Sequence, residues 1–249
     1  MCCFSRPVTS VSATKIFARL AGGGRQFLAY SMVYQAKEDL AMVLPLPVPA
    51  GTAENAVGFI DLHGYPGFFD DLHNGFPEEL SLDHTNSRSR GIPAPAAAPL
   101  AVVQVGSFEA SFVPTPKDFS RLDPRFRLPE SAFAKQPAYS RFGFAVFKLK
   151  RTATSVHPMA FSFPSADPNR LFFPTVHIHD GELNSHAHFD HQLYCQLAGD
   201  PRRVADFRES PQLAKSFMRV ADSKGLIDGA AHCYLRELAG TRKNADIYV

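Results

Sequence analysis

Five of the ten histidines fall within the stretch 177–191, and imidazole is the commonest neutral metal ligand near pH 7. On a strand, residues two apart face the same side, so His177 and His179 would point together. Such a pair can place two nitrogens at about 2.0–2.1 Å from one zinc ion. The cluster therefore predicts a metal site built on a strand.

Further candidate ligands follow this pair along the chain. His191 and Cys195 are four residues apart, which puts them on one face of either a strand or a helix. Neighbouring aspartates such as Asp190 can orient the imidazole rings. His186 and His188 lie in a polar, loop-like string and are weaker candidates. A mixed set of nitrogen and sulfur donors favours a zinc or copper ion over magnesium or calcium.

The same histidines also permit a purely structural interpretation. His177 and His179 can occupy the solvated face of a strand whose other face carries Val176 and Ile178. His191 can be a hydrogen-bonded core histidine. The cluster lacks the fixed spacing of a zincin helix or of a Cys-x-x-Cys knuckle. Both interpretations stay open on the sequence.

The N-terminal cysteines Cys2 and Cys3 offer a second kind of chemistry. Removal of Met1 would leave Cys2 with an amine and a thiolate, which together chelate a soft metal such as copper or zinc. The same groups can form a catalytic N-terminal nucleophile, with the amine as general base and the thiolate attacking an amide carbonyl. Alternatively, both cysteines are small buried hydrophobes. The predicted metal ligands are His177, His179, His191, Cys195, Cys2 and Cys3.

Alternating Phe-rich segments must position these residues, and they predict a mostly β (α+β) fold with antiparallel sheets and a few short helices. One domain would span residues 1–249, with a flexible, exposed Pro/Ala-rich loop near 87–99. The prolines in 40–48 would force that strand to a sheet edge or a bulge. The predicted strands are 15–20, 26–35, 40–48, 101–105, 108–113, 143–150, 159–163, 171–179 and 186–197.

Helices are expected at only a few places. Thr52 can cap a short helix reaching Ile60, and the apolar residues of 68–76 predict a second helical turn. Ser210 and Pro211 form a strong helix start, so 210–224 is predicted to be the longest helix. The tail 232–249 is predicted to form a hairpin that turns at Gly240.

Composition limits the classes of partner and compartment. A formal net charge of +2 and the lack of a basic run argue against nucleic acid. No apolar run has membrane-spanning length, and no secretory signal is visible. Four cysteines are too few for a disulfide scaffold, which favours free thiols in the cytoplasm. The oligomeric state and any substrate are not indicated.

The opening Met-Cys-Cys-Phe-Ser and the segment 172–181, which contains His-Ile-His-Asp-Gly, resemble parts of uncharacterised bacterial proteins of the domain-of-unknown-function type. This resemblance implies no known activity. The residues therefore support three hypotheses. The first is a cytoplasmic metal-binding protein with a His/Cys site for zinc or copper. The second is an amide hydrolase that uses Cys2, and the third is a non-catalytic β-rich module with a Phe-rich binding surface.

Overall fold

The computed structural model describes residues 2–77, 102–128, 136–151, 157–178, 183–197 and 201–249. Most of this part of the chain forms two facing β-sheets. Its α-helix is α1 (Phe68–Asn74). Its strands are β1 (Cys2–Phe4), β2 (Ser10–Ala21), β3 (Arg25–Gln35), β4 (Leu40–Leu46), β5 (Gly58–Asp61), β6 (Val103–Val105), β7 (Phe108–Val113), β8 (Gly143–Leu149), β9 (Met159–Pro164), β10 (Phe172–Phe173), β11 (His177–Ile178), β12 (His186–Gln196), β13 (Arg208–Glu209), β14 (Tyr234–Lys243) and β15 (Ile247–Tyr248).

The larger strands are divided between two sheets. The first sheet has the order β11-β1-β4-β8-β7-β6, and the second has the order β13-β14-β12-β2-β3-β9-β5, while β10 and β15 pair separately. Neighbouring strands are antiparallel except β1 with β11 and β2 with β12. The predicted fold class is confirmed. The two parallel pairs bring together strands that are distant in the sequence, and both pairs lie near the histidines.

Strand alternation explains why β4 is apolar along its whole length. Every second side chain of β4 enters a central cluster between the sheets, and Ala41 and Val43 enter an outer cluster on the first sheet. Because both faces are covered, β4 carries no solvated face. The side chains of β4 in the central cluster are Leu40, Met42, Leu44 and Leu46.

The outer face of the second sheet is covered in the same way by α1 and by the chain after β13. Phe68 and Leu72 of α1 are fully buried there against Phe17 of β2 and Tyr194 of β12. Phe17 and Phe68 meet edge to face, with ring centroids 5.8 Å apart. The predicted helical turn in 68–76 is therefore confirmed as the element that closes this face.

The predicted longest helix at 210–224 is wrong. This segment instead contains two short 3-10 turns, Ala214–Ser216 and Ala221–Ser223, separated by Phe217 at φ −133°. An apolar residue at every third or fourth position is compatible with a 3-10 turn as well as with an α-helix. Here these apolar side chains pack in the outer cluster beside α1. The short helix predicted from Thr52 is also wrong, since Gly58–Asp61 forms β5.

The predicted edge position of β4 and the predicted hairpin at Gly240 are also wrong. β4 lies inside its sheet rather than at an edge. Its Pro45 is tolerated because β1 pairs only with Met42 and Val43, so Pro45 lies beyond the end of that ladder. Gly240 does not turn a hairpin: it sits at φ 79° within a continuous β14, opposite Phe189.

The predicted loop near 87–99 lies outside the described residues. Among the helices that the structure does describe, none is both long and apolar enough to cross a membrane.

Candidate functional site

His177 and His191 meet in the space between the two sheets. Their Nε2 atoms are 3.1 Å apart, and their rings are stacked with centroids 4.8 Å apart. His177 belongs to β11 at the edge of the first sheet, and His191 belongs to β12 within the second. His191 is 1% exposed, whereas His177 is half-buried. The pair therefore connects the two sheets through polar side chains at one edge of the sandwich.

Alternation along the strands directs both rings inward. Val176 and Ile178 enter the outer cluster of the first sheet, so His177 between them faces the central cluster. Phe189, two residues before His191 on β12, packs against both imidazoles at centroid distances of 4.5 and 5.1 Å. The pair is therefore bounded by an aromatic ring on its inner side.

A backbone irregularity lies beside His191. The register of β2 against β3 shifts between Ser12 and Lys15, which is a β-bulge that places Ala13 at φ 51°. The Ala13 N–H donates to Asp190 Oδ2 at 2.6 Å. A positive φ is unfavourable for alanine and is found mainly where the surrounding structure enforces it. Asp190 provides that enforcement from the neighbouring strand.

Asp190 also faces the imidazole of His191. Its Oδ1 atom is 3.5 Å from His191 Nδ1. Partial burial raises the pKa of Asp190, but the nearby imidazole of His191 and the hydrogen bond from the Ala13 N–H outweigh it and leave this pKa below its ordinary value. Asp190 is therefore a carboxylate at neutral pH, and it can orient the ring of His191.

Thr14 completes this polar group from β2. Its Cα is the register partner of His191 in the parallel β2–β12 pair, on the strand face that carries Ile16 and Leu193 into the central cluster. Thr14 is 1% exposed, and its Oγ1 atom has no hydrogen-bond partner in the described part of the chain. Thr14 could not be identified from the sequence, because a single Thr in a strand carries no distinguishing signal.

The structure places the predicted ligands unevenly. It brings together His177 and His191, while His179 lies outside the described residues. Cys2 pairs with His177 in the parallel β1–β11 register. Cys3 is buried in the outer cluster of the first sheet, and Cys195 is buried in the central cluster.

No group of three or more His, Cys, Asp or Glu residues suited to a metal occurs within the described ranges. The six-residue ligand set therefore stays a prediction. His186 and His188 occupy the exposed start of β12. Burial raises the pKa of the Cys195 thiol well above its usual range, which removes its thiolate at neutral pH.

His157 is another, partly buried histidine with defined partners, and it lies outside the sequence cluster 177–191. His157 Nε2 accepts a hydrogen bond from the Ser107 N–H at 3.0 Å, so its Nδ1 carries the proton and donates to Pro158 O at 3.2 Å. A Cβ on Gly106 would come within 2.7 Å of His157 Nε2. Both ring nitrogens of His157 are therefore used in a tight structural contact between β6–β7 and the start of β9.

Comparison with known proteins gives similarity at the level of fold. No family model matches the chain and no curated protein matches it, so the resemblance to uncharacterised bacterial proteins stays a prediction. Among solved structures, a mutated baculovirus P35 after caspase cleavage is similar, with a TM-score of 0.51 and 13% identity over 95% of this chain and 98% of that one.

Two further structures of the same viral protein are similar with lower scores. One is the crystal structure of baculovirus P35, with a TM-score of 0.48 and 13% identity over 97% of this chain and 96% of that one. The other is the caspase-8/P35 complex, with a TM-score of 0.47 and 11% identity over 95% of each chain. At such identities the likeness concerns the fold alone.

Proposed function

We propose that this protein is a non-catalytic, β-rich binding module whose partner is a cysteine protease of the caspase class. The observation that carries the proposal is the similarity in fold to a baculovirus P35 that a caspase has cleaved, at a TM-score of 0.51. That similarity extends over 95% of this chain and 98% of the viral one. Such a match includes both sheets and is not confined to a common supersecondary motif.

The state of the buried thiols supports binding over cysteine-based catalysis. Cys195 and Cys233 are buried free cysteines. Burial raises the pKa of Cys233 to about 12 and that of Cys195 further, so neither forms an appreciable thiolate at neutral pH. Since the thiolate is the reactive form, these two residues serve as packing. The N-terminal Cys2 remains the residue on which the amide-hydrolase alternative depends.

A protease binds its substrate as an extended segment, which must be exposed and free of regular structure. The sequence 81–99 is rich in Ser, Pro and Ala, and it contains the loop near 87–99 that is predicted to be exposed, with Asp83 four residues before that loop. Caspases cut after aspartate, and Asp83 is the one aspartate of this stretch. We therefore expect the protease to engage the chain at or near Asp83.

The test is a titration of active caspases with this protein, followed with a fluorogenic peptide cleaved after aspartate. We expect caspase activity to fall as the protein is added, and the Asp83→Ala variant to lose this effect. A cysteine protease without preference for aspartate, such as papain, is the control and should keep its activity. Full caspase activity in the presence of excess protein, together with no complex in gel filtration, would reject the proposal.

The amide-hydrolase alternative is separated by blocking the N-terminal amine. Acetylation would remove the general base that an N-terminal nucleophile needs. A hydrolase activity on amide substrates that is present in the unmodified protein and lost after acetylation would favour the alternative. The binding proposal expects no such activity in either form.

A further inference from the structure

We propose that β14 pairs edge to edge with the same strand of a second copy of this chain. β14 pairs along its whole length with β12 on one side, but on the other side it pairs only with β13, through Tyr234 and Leu235. Within the described residues, no strand covers 236–243 on that second side, which we call the free edge. An open strand edge of this length is a template for pairing with another chain. This surface is separate from the proposed protease site.

The backbone groups of alternate residues of β14 point to the free edge. In an antiparallel ladder, the N–H and C=O of one residue face one neighbouring strand, and those of the next residue face the other. Beside β13, the Ser210 N–H donates to the Cys233 carbonyl at 2.8 Å, and beside β12 the Asn244 N–H donates to the Ser185 carbonyl at 2.9 Å. Odd-numbered residues therefore face the free edge and even-numbered residues face β12. The residues whose groups face the free edge are Glu237, Ala239, Thr241 and Lys243, and all four are exposed.

The sequence of the free edge is complementary to itself. The stretch 237–243 reads Glu-Leu-Ala-Gly-Thr-Arg-Lys, with Gly240 at its centre. When two copies pair antiparallel about a twofold axis at Gly240, Glu237 of each copy lies opposite Lys243 of the other, and Ala239 lies opposite Thr241. Opposite charges directly across a ladder are favourable, and like charges are unfavourable. A slip of the register by two residues would separate both ion pairs, so the charges select this arrangement.

The two ends of the free edge set the same register. β13 occupies the edge at Leu235, and β14 ends at Lys243, so the free backbone groups run from Glu237 to Lys243 and their midpoint is Gly240. Gly240 has φ 79°, but its backbone groups face β12, so this conformation removes no hydrogen bond to the second copy. Opposed residues that share no hydrogen bond approach to about 4.5 Å between Cα atoms. Because glycine has no side chain, this close approach at the axis is unobstructed.

The side-chain contacts already present at the free edge are compatible with pairing. Arg242 Nε donates to the Ala239 carbonyl at 3.0 Å. Because Arg242 is exposed, its replacement there by the Thr241 N–H of the second copy returns the guanidinium to water. Gln192 Nε2 donates to Glu237 Oε1 at 3.3 Å, which leaves the other carboxylate oxygen for Lys243 of the second copy.

The experiment measures the mass of the full-length protein by analytical ultracentrifugation at concentrations from about 1 to 200 µM. We expect the mass to rise with concentration from the 27.4 kDa of one chain toward twice that value. Glu237→Lys and Lys243→Glu should each keep the protein at the mass of one chain, because each places like charges opposite one another at both ends of the paired stretch. The double variant Glu237→Lys/Lys243→Glu restores opposite charges and should restore the dimer.

Two further variants separate strand pairing from a general effect of charge. Lys37→Glu makes the same change of charge as Lys243→Glu at an exposed position away from β14, and it should keep the dimer. Ala239→Pro removes an N–H that faces the free edge and leaves the bonds to β12 in place, so it should prevent the dimer without unfolding the chain. Circular dichroism establishes that each variant is folded.

Three results would overturn the proposal. The first is a wild-type protein that stays at the mass of one chain over the whole concentration range. The second is a dimer that persists in the folded Glu237→Lys and Lys243→Glu variants. The third is a folded double variant that does not recover the dimer which the single variants lose.

Discussion

Asn244 binds both backbone polar groups of His177. Its Oδ1 atom accepts from the His177 N–H at 2.7 Å, and its Nδ2 atom donates to the His177 carbonyl at 2.9 Å. The same Nδ2 also donates to the Asn184 carbonyl at 3.0 Å. Since β11 lies at a sheet edge, this one side chain supplies the pairing that a neighbouring strand would otherwise provide.

Replacing Asn244 with Ala should lower the free energy of unfolding by about 2–4 kcal/mol. The change removes three hydrogen bonds to the backbone of His177 and Asn184 in a partly buried place. Urea unfolding followed by circular dichroism measures the effect. Asn169→Ala, at an exposed position, is the control and should change stability by less than about 0.5 kcal/mol. Equal stability of the two variants would show that Asn244 does not hold β11.

At the bulge on β2, replacing an alanine with glycine should stabilise the protein, whereas the same change within a regular strand destabilises it. Ala13 has φ 51°, which costs an L-residue roughly 1–2 kcal/mol but costs glycine little. Glycine also gives the unfolded chain more conformational entropy, which offsets part of this gain. The net effect of Ala13→Gly should still be a rise in the free energy of unfolding of about 0.5–1 kcal/mol. Ala18→Gly, on the same strand and fully buried, should instead lower it by about 1–2 kcal/mol. If both variants were destabilised equally, the conformation at Ala13 would not be strained.

Thr14→Val should raise the free energy of unfolding by about 1 kcal/mol. The substitution keeps the shape of the side chain and removes a buried hydroxyl that has no partner in the described regions. Urea unfolding followed by circular dichroism provides the measurement. A loss of more than about 1 kcal/mol would mean that this hydroxyl makes a stabilising hydrogen bond.

His157 should make the protein less stable in acid. Burial lowers the pKa of His157 below the 6.5 of a free imidazole, with only partial compensation by Pro158 O and Asp61. The folded state therefore binds fewer protons than the unfolded state, so stability is complete above about pH 6.5 and falls as the pH decreases toward the folded pKa. Protonation also breaks the bond in which Nε2 accepts the Ser107 N–H.

The measurement compares urea midpoints at pH 7.5 and pH 5.5 for the wild type and for His157→Gln. All other ionisable groups are common to the two proteins, so the difference between the two pH effects isolates His157. We expect the wild type to lose more stability than the variant over this interval. Identical losses in the two proteins would contradict the assignment.

The strands were predictable because long segments with regular alternation determine their own structure. Residues 26–35 read as a strand from the sequence alone, and they form most of β3. The segment 210–224 was mistaken for a helix because its apolar spacing fits two kinds of helical turn, and packing against α1 decides between them. The spacing of apolar residues within the segment does not predict that contact.

The candidate site was predictable only in part. The histidine cluster correctly drew attention to His177 and His191. The expected pairing of His177 with His179 stays a prediction, because His179 lies outside the described residues. The contact between His177 and His191 spans two sheets, and strand alternation constrains only neighbours within one strand. The contributions of Ala13, Thr14 and Asn244 depend on the register and the bulge, which no local pattern reveals.

The most direct measurement of the proposed function is the intact mass of the protein after incubation with an active caspase. We predict two fragments whose masses place the cut after Asp83, and an uncut chain when the caspase is catalytically inactive or when the protein carries Asp83→Asn. Circular dichroism of the mutant should match the wild type, so that loss of cleavage reports recognition rather than unfolding. A wild-type chain that stays intact at excess active caspase, with no mass shift and no stable complex, would contradict the account.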